Sequence, residues 1–190
     1  MSIVLQGSTS GSITLQEPAV AGSNTISLPA ETGTVITTGS TGQSIPKAAL
    51  PTGSVLQVVS ATINSENSTT STSFVSTGLS VSITPTSSTS RVLVLVNGCS
   101  FGVSGTAEGY WTVDRAGTNI GNGNGGFGRT WNAGVANFTF TPAAISYLDS
   151  PATTSSITYT VQFRQTNAAQ FVYISGGNGR SSITLMEIAA

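Results

Sequence analysis

Histidine is absent from the 190 residues. That removes the commonest general base, the Ser-His-Asp arrangement and the commonest metal ligand at once. The carboxylates are Glu17, Glu31, Glu66, Glu108, Asp114, Asp149 and Glu187. A glycosidase-like pair needs two of them about 5 to 10 Å apart across a cleft. Glu108 and Asp114 are close in sequence, but their even spacing puts them on one face of one strand, where side chains are usually solvated. Gly121-Asn122-Gly123-Asn124-Gly125-Gly126 has the G-x-G-x-x-G spacing. That spacing binds a dinucleotide only between a strand and a helix, and here more glycine and β-prone sequence follow. The chain therefore reads as a non-enzyme, with no catalytic set, no cofactor fingerprint and no metal-ligand set.

A binding surface is the chemistry that remains. Asn119 to Gly134 is too rich in Gly and Asn to read as a strand, and it holds Asn122, Asn124, Phe127, Arg129 and Trp131. Asn amides both donate to and accept from hydroxyls. Phe127 and Trp131 offer flat apolar faces, and Arg129 adds a forked donor. Function tends to sit on loops held by a rigid scaffold, so a mobile, receptor-contacting loop is expected here. Two alternatives stay open: Trp131 tucks back onto its own domain, or the loop touches a neighbouring subunit or the particle. Trp111, next to Val113 on one strand face, reads as core. Cys99 is the only cysteine. It cannot form an intrachain disulfide, and after an apolar strand it reads as a buried, inert thiol.

These residues must be positioned by strands. Apolar residues make up 38% and charged residues only 7%, so Ser, Thr, Asn and Gly build the polar surface, and these suit strands and turns. Net charge is −1 and the six basic residues are scattered. No nucleic-acid footprint is visible, and attraction to anionic membranes is unsupported. No segment reaches the ~20 apolar residues of a membrane span, and the N-terminus lacks the pattern of a signal peptide.

Two regions follow, 1–50 and 51–190. In the first, Ile3-Val4-Leu5, Ile13-Thr14-Leu15 and Ile26-Ser27-Leu28 repeat an Ile-x-Leu pattern between turn residues, with Thr34 to Thr37 as a fourth short strand. One copy of such a segment buries too little to offset its ordering entropy, which favours several chains wound around one axis over a flexible tail. Ser44 to Leu50 could form a helical turn, with Pro51 as its stop. Beyond Gly53, strand signals alternate with turns: Val55 to Ile63, Leu79 to Ile83, Arg91 to Val96, Tyr110 to Arg115, Val135 to Phe140, Ile157 to Arg164, Phe171 to Ile174 and Ile183 to Ile188. Gly176-Gly177-Asn178-Gly179 suggests a tight hairpin between the last two. No crossover helix fits between these strands, so the fold class is all-β, an antiparallel sandwich or jelly roll. The runs at 92–96 and 183–188 are apolar on both faces and call for a second cover. Val92, Val94, Val96, Ile183 and Leu185 are accordingly expected at a subunit interface.

The stretch Gly33-Thr34-Val35-Ile36-Thr37-Thr38-Gly39, then Ile45-Pro46-Lys47-Ala48-Ala49-Leu50-Pro51-Thr52-Gly53-Ser54-Val55, resembles the stalk-to-head junction of tailed-bacteriophage fibre proteins. Residues Thr72 to Leu79 through Ile183 to Ile188 resemble the heads of such fibres. The ending is similar to jelly-roll trimers of the C1q and tumour necrosis factor type, in which strands like Tyr159 to Phe163 precede a last strand at the trimer centre. The resemblance implies a homotrimer in the virion, assembled in the host cytoplasm. Residues 1–50 would form a stalk that attaches to other virion proteins. The head would contact a host cell-surface glycan or protein. A capsid or tail decoration protein, stabilising the particle without host contact, is the alternative. Neither reading involves nucleic acid or membrane insertion.

Overall fold

In the computed structural model of the chain, residues 3–6, 9–10, 12–15, 50–132, 138–175, 177 and 179–190 are described. The chain divides into two compact units, Met1–Ser44 and Ile45–Ala190. The first contains a hairpin of β1 (Ile3–Gln6) and β2 (Ser12–Leu15), in register Ile3 to Leu15 through Gln6 to Ser12. Two of the Ile-x-Leu units thus pair with each other. The units at 26–28 and 34–37, and the expected helical turn at 44–50 apart from Leu50, lie outside the described residues.

The second unit is an antiparallel sandwich. Its strands are β3 (Val55–Ile63), β4 (Asn67–Thr69), β5 (Val75–Ile83), β6 (Arg91–Val103), β7 (Glu108–Arg115), β8 (Thr118–Asn119), β9 (Gly128–Trp131), β10 (Thr139–Asp149), β11 (Ile157–Gln165), β12 (Val172–Ile174) and β13 (Ser181–Ile188). The larger sheet runs β3-β13-β6-β12-β4, with β10 on the other edge of β6; the smaller runs β5-β11-β7-β8, with β9 also on β7. β12 and β13 follow one another along β6, each paired with it, so the expected hairpin between them does not form. The chain turns at Ser175 (φ 57°), and the Ser175 hydroxyl donates to Ser181 Oγ at 2.8 Å, joining the two strand ends.

Period-2 alternation explains the core. Val59, Leu185 and Val94 lie side by side across three strands, as do Ala61, Ile183 and Val96, and all face the smaller sheet's Leu79, Val113, Tyr159 and Val161 in one cluster. Phe101 stacks on Trp111 across the sandwich at 4.3 Å. Val92, Val94, Val96, Ile183 and Leu185 are therefore inside a single chain, each no more than 2% exposed. This corrects their expected place at a subunit interface: the second sheet of the same chain is their cover. The outward residues of these two runs are Leu93, Leu95, Thr184, Met186 and Ile188, all half-buried. Cys99 lies in β6, and its side chain is outside the described residues.

Two buried polar clusters brace the sandwich, one between the layers and one between the larger sheet and the β5–β6 connection. Asp149 on β10 accepts from Arg115 Nη1 at 2.8 and 2.9 Å and from the Tyr159 hydroxyl at 2.7 Å, so the larger sheet is pinned to the smaller at one end. Burial first, then Asp149, raises the Tyr159 phenol far above its ordinary value of 10.0. Glu187 on β13 is fully buried. It accepts from Gln57 Nε2 (2.6 Å), the Thr86 amide (2.6 Å) and the Thr86 hydroxyl (2.7 Å). Burial alone would raise this carboxyl; the hydrogen bonds from Thr86 and Gln57 outweigh it and hold the group below its ordinary 4.5.

Candidate functional site

The stretch expected to be a mobile loop is mostly hydrogen-bonded structure, because it folds back along β7. Arg115 and Thr118 close a two-residue hairpin whose central residues, Ala116 (φ 48°) and Gly117 (φ 92°), have the paired positive φ of a type I′ turn. Asn119 then organises the return. Its Oδ1 accepts from the Thr112 hydroxyl and from the Gly121 amide, and its Nδ2 donates to the Gly123 carbonyl at 2.9 Å. Asn122 and Gly126 exchange both backbone hydrogen bonds, and the Phe127 amide donates to the Trp111 carbonyl. Gly126 has φ +60°, and a Cβ there would strike the Trp111 carbonyl. β9 then runs antiparallel to β7 with Glu108 opposite Trp131 and Tyr110 opposite Arg129. Residues 133 and 134 of the expected loop lie outside the described residues.

This register sorts the expected contact residues. Phe127 is partly buried against the core and packs on Tyr147 at 5.2 Å, so it is an anchor rather than a contact residue. Asn122 and Asn124 are exposed at the turn. Arg129 and Trp131 point away from the core, and Trp131 is 61% exposed. The smaller sheet brings Arg129, Trp131 and Asn124 onto one outward surface with three residues that the sequence alone did not single out for binding. Glu108 Oε1 accepts from Arg129 Nη1 at 3.1 Å, and Glu108 Oε2 accepts from the Tyr110 hydroxyl. Arg164, opposite Tyr110 on β11, lies over the Tyr110 ring at 4.4 Å and the Phe74 ring at 5.3 Å. Its Nε donates to the Asn124 carbonyl at 3.0 Å. Every polar group on this surface is held by a strand or by a partner. Its cross-strand pairing could have been found only from the register of β7 with β9 and β11.

Glu108 and Asp114 do share the outward face of β7, but they do not form a pair. Asp114 accepts from the Gly117 amide at the hairpin turn, while Glu108 serves Arg129 and Tyr110.

The larger sheet's outward face is of another kind. Val58, Met186, Leu93 and Leu148 form one row across four strands; Ser60, Thr184, Leu95 and Ser146 form the next; Thr62, Ser182, Asn97 and Ala144 the third. None of these side chains is charged. At the far end Tyr173 and Phe140 flank Gly102. A Cβ on Gly102 would meet the Phe140 ring, so glycine lets the ring lie flat on the sheet. Phe138 stacks on Phe140 at 5.9 Å and meets Tyr173 edge-on at 5.5 Å; Phe171 lies 5.9 Å from Tyr173. Phe138 is 57% exposed.

No protein-family model matches the chain, and no curated protein matches it in sequence.

Proposed function

We propose that the chain is a structural protein of a tailed-bacteriophage virion: a homotrimeric fibre whose residues 1–50 attach to other virion proteins and whose head contacts the host cell surface. The observation that carries this reading is on the outward face of the larger sheet, where three successive rows beyond Arg91 hold no charged side chain. An apolar row of Val58, Met186, Leu93 and Leu148 and a four-ring aromatic cluster, separated by two uncharged rows of mostly small polar side chains, are the kind of exposed apolar surface that marks a protein–protein contact. Strand order supports it. The chain passes between sheets as β3, β5, β6, β7, β9, β10, β11, β13, with β3-β13-β6-β10 in one layer and β5-β11-β7-β9 in the other. That is the wrapping of an eight-stranded jelly roll. β13, the last strand, lies in the middle of the apolar-faced sheet, as it does in the C1q-like trimers that the ending resembles. With the larger sheet turned to the other subunits, the polar-aromatic surface of the smaller sheet is left for the host.

Labelling the protein on intact particles by electron microscopy, together with competition by purified protein for adsorption to host cells, tests this reading. Label at a fibre tip with blocked adsorption is expected. Label on the capsid surface with unimpaired adsorption would replace it with the decoration reading.

A further inference from the structure

We propose that the outward surface of the smaller sheet is a carbohydrate site for a neutral hexopyranose that stacks on Trp131 and hydrogen-bonds, through adjacent hydroxyls, to Glu108 and Arg129; the inference rests on the host-contacting reading of the head. Trp131 presents an open ring face on a short strand whose backbone is locked to β7. A flat apolar face matches the C–H face of a pyranose, and a rigid aromatic loses little entropy on binding. Glu108 is directly opposite Trp131, with Cβ atoms about 5 Å apart by sheet geometry. Arg129 is two residues before Trp131 on the same face, about 6.6 Å along the strand. A sugar ring on Trp131 thus reaches both.

The hydrogen-bonding capacity is available. Each Glu108 oxygen holds one donor, Arg129 on Oε1 and Tyr110 on Oε2. A carboxylate accepts about four hydrogen bonds, so both oxygens can take a hydroxyl proton. Arg129 shows one N–H bond, to Glu108, and is largely exposed. A vicinal diol can donate to Glu108 and accept from Arg129 in one plane. The ion pair also sets the class: Arg129 is already balanced by Glu108, so a neutral sugar is taken without an unpaired charge, whereas a uronic or sialic carboxylate would have to compete with Glu108 for the guanidinium. Arg164 stiffens the floor, packed over Tyr110 and Phe74 and bonded to the Asn124 carbonyl. A single such site binds weakly, in the millimolar range, and several copies on one particle raise the avidity.

The chain supplies its own control. Trp111 is buried against Phe101 and Trp131 is exposed, so their indole N–H resonances report separately. The test titrates the full protein with the methyl glycosides of glucose, galactose, mannose and N-acetylglucosamine, and with glucuronate. The expected result is a saturable shift of the Trp131 signal by at least one neutral glycoside, a static Trp111 signal and no response to glucuronate. Trp131→Ala should weaken binding about tenfold, and Glu108→Gln should weaken it while leaving the melting temperature near that of the parent. No Trp131 shift with any of the four neutral glycosides, or tighter binding of glucuronate, would overturn the proposal. Adsorption assays separate it from the reading on which it rests. If no glycoside binds but Trp131→Ala protein no longer competes for host cells, the surface contact stands and the sugar class falls. If a glycoside binds but Trp131→Ala protein competes normally, the sugar site stands and the host contact lies elsewhere. Isolated capsular and lipid-linked polysaccharides, added separately as competitors, distinguish the two sources of such a pyranose.

Discussion

The two outward faces of the sandwich are built from the same alternation and end up chemically opposite. On the larger sheet the outward positions hold the Val58, Met186, Leu93 and Leu148 row, two rows of mostly Ser, Thr and Asn, and an aromatic cluster; on the smaller they hold Glu108, Tyr110, Arg129, Arg164, Thr112 and Gln162. Both inward faces are ordinary core. An apolar outward row is only partly removed from water within one chain: Leu93 and Met186 are half-buried and Val58 is exposed. A charged and aromatic outward row, each member held by a neighbour, is suited to a small polar ligand. The contrast teaches that alternation fixes the inward faces through the shared core and leaves the two outward faces free to differ in chemistry.

The contrast is broken most violently by exchanging inside for outside. Leu185→Asp places a carboxylate in the core and should cost on the order of 5 kcal/mol, enough to prevent folding. Met186→Asp, one residue on and facing outward, should leave the chain folded. Soluble yield and circular dichroism of the two variants side by side check this. Next in size is the pin between the layers. Asp149→Ala strands Arg115 and the Tyr159 hydroxyl and should cost about 3 kcal/mol, read by urea denaturation. Third is the apolar face: Leu93→Glu with Leu148→Glu should dissociate the assembly with little loss of the chain's own fold, seen as a smaller mass in light scattering.

Glu187 sharpens the same boundary from the acid side. Its carboxyl binds a proton more weakly folded than unfolded. Its contribution to stability is therefore present above about pH 4.5 and is lost as pH falls through the lowered folded value. Glu187→Gln should destabilise the protein at pH 7 by about 1 to 2 kcal/mol and flatten the stability profile below pH 4.5, measured by thermal melts across that range. The smallest effect belongs to Trp131→Ala, which should change stability by no more than about 0.5 kcal/mol.

The strands with clean alternation were legible in the sequence. β3, β11 and β13 begin and end within a few residues of where Val55 to Ile63, Ile157 to Arg164 and Ile183 to Ile188 place them. β10 was not. Its expected position, Val135 to Phe140, overlaps the observed Thr139–Asp149 by only two residues. Pro142 interrupts the pattern there, and an edge strand at a register shift tolerates a proline because no ladder bond is lost. β9 was hidden in the Gly and Asn stretch because pairing with β7, rather than its own propensity, makes it a strand. The site was half legible for a related reason. Residue types flagged Arg129 and Trp131, but only cross-strand register brings Glu108, Tyr110 and Arg164 to them. The interface residues were misplaced because a run apolar on both faces does not say which face meets its own chain.

The most direct test is the mass of the full chain in solution, by light scattering at micromolar concentration. We predict three times the 19.2 kDa of the chain, falling toward a single chain in the Leu93→Glu, Leu148→Glu protein. A wild-type protein with the mass of one chain would contradict the assignment of the larger sheet's outward face to neighbouring subunits.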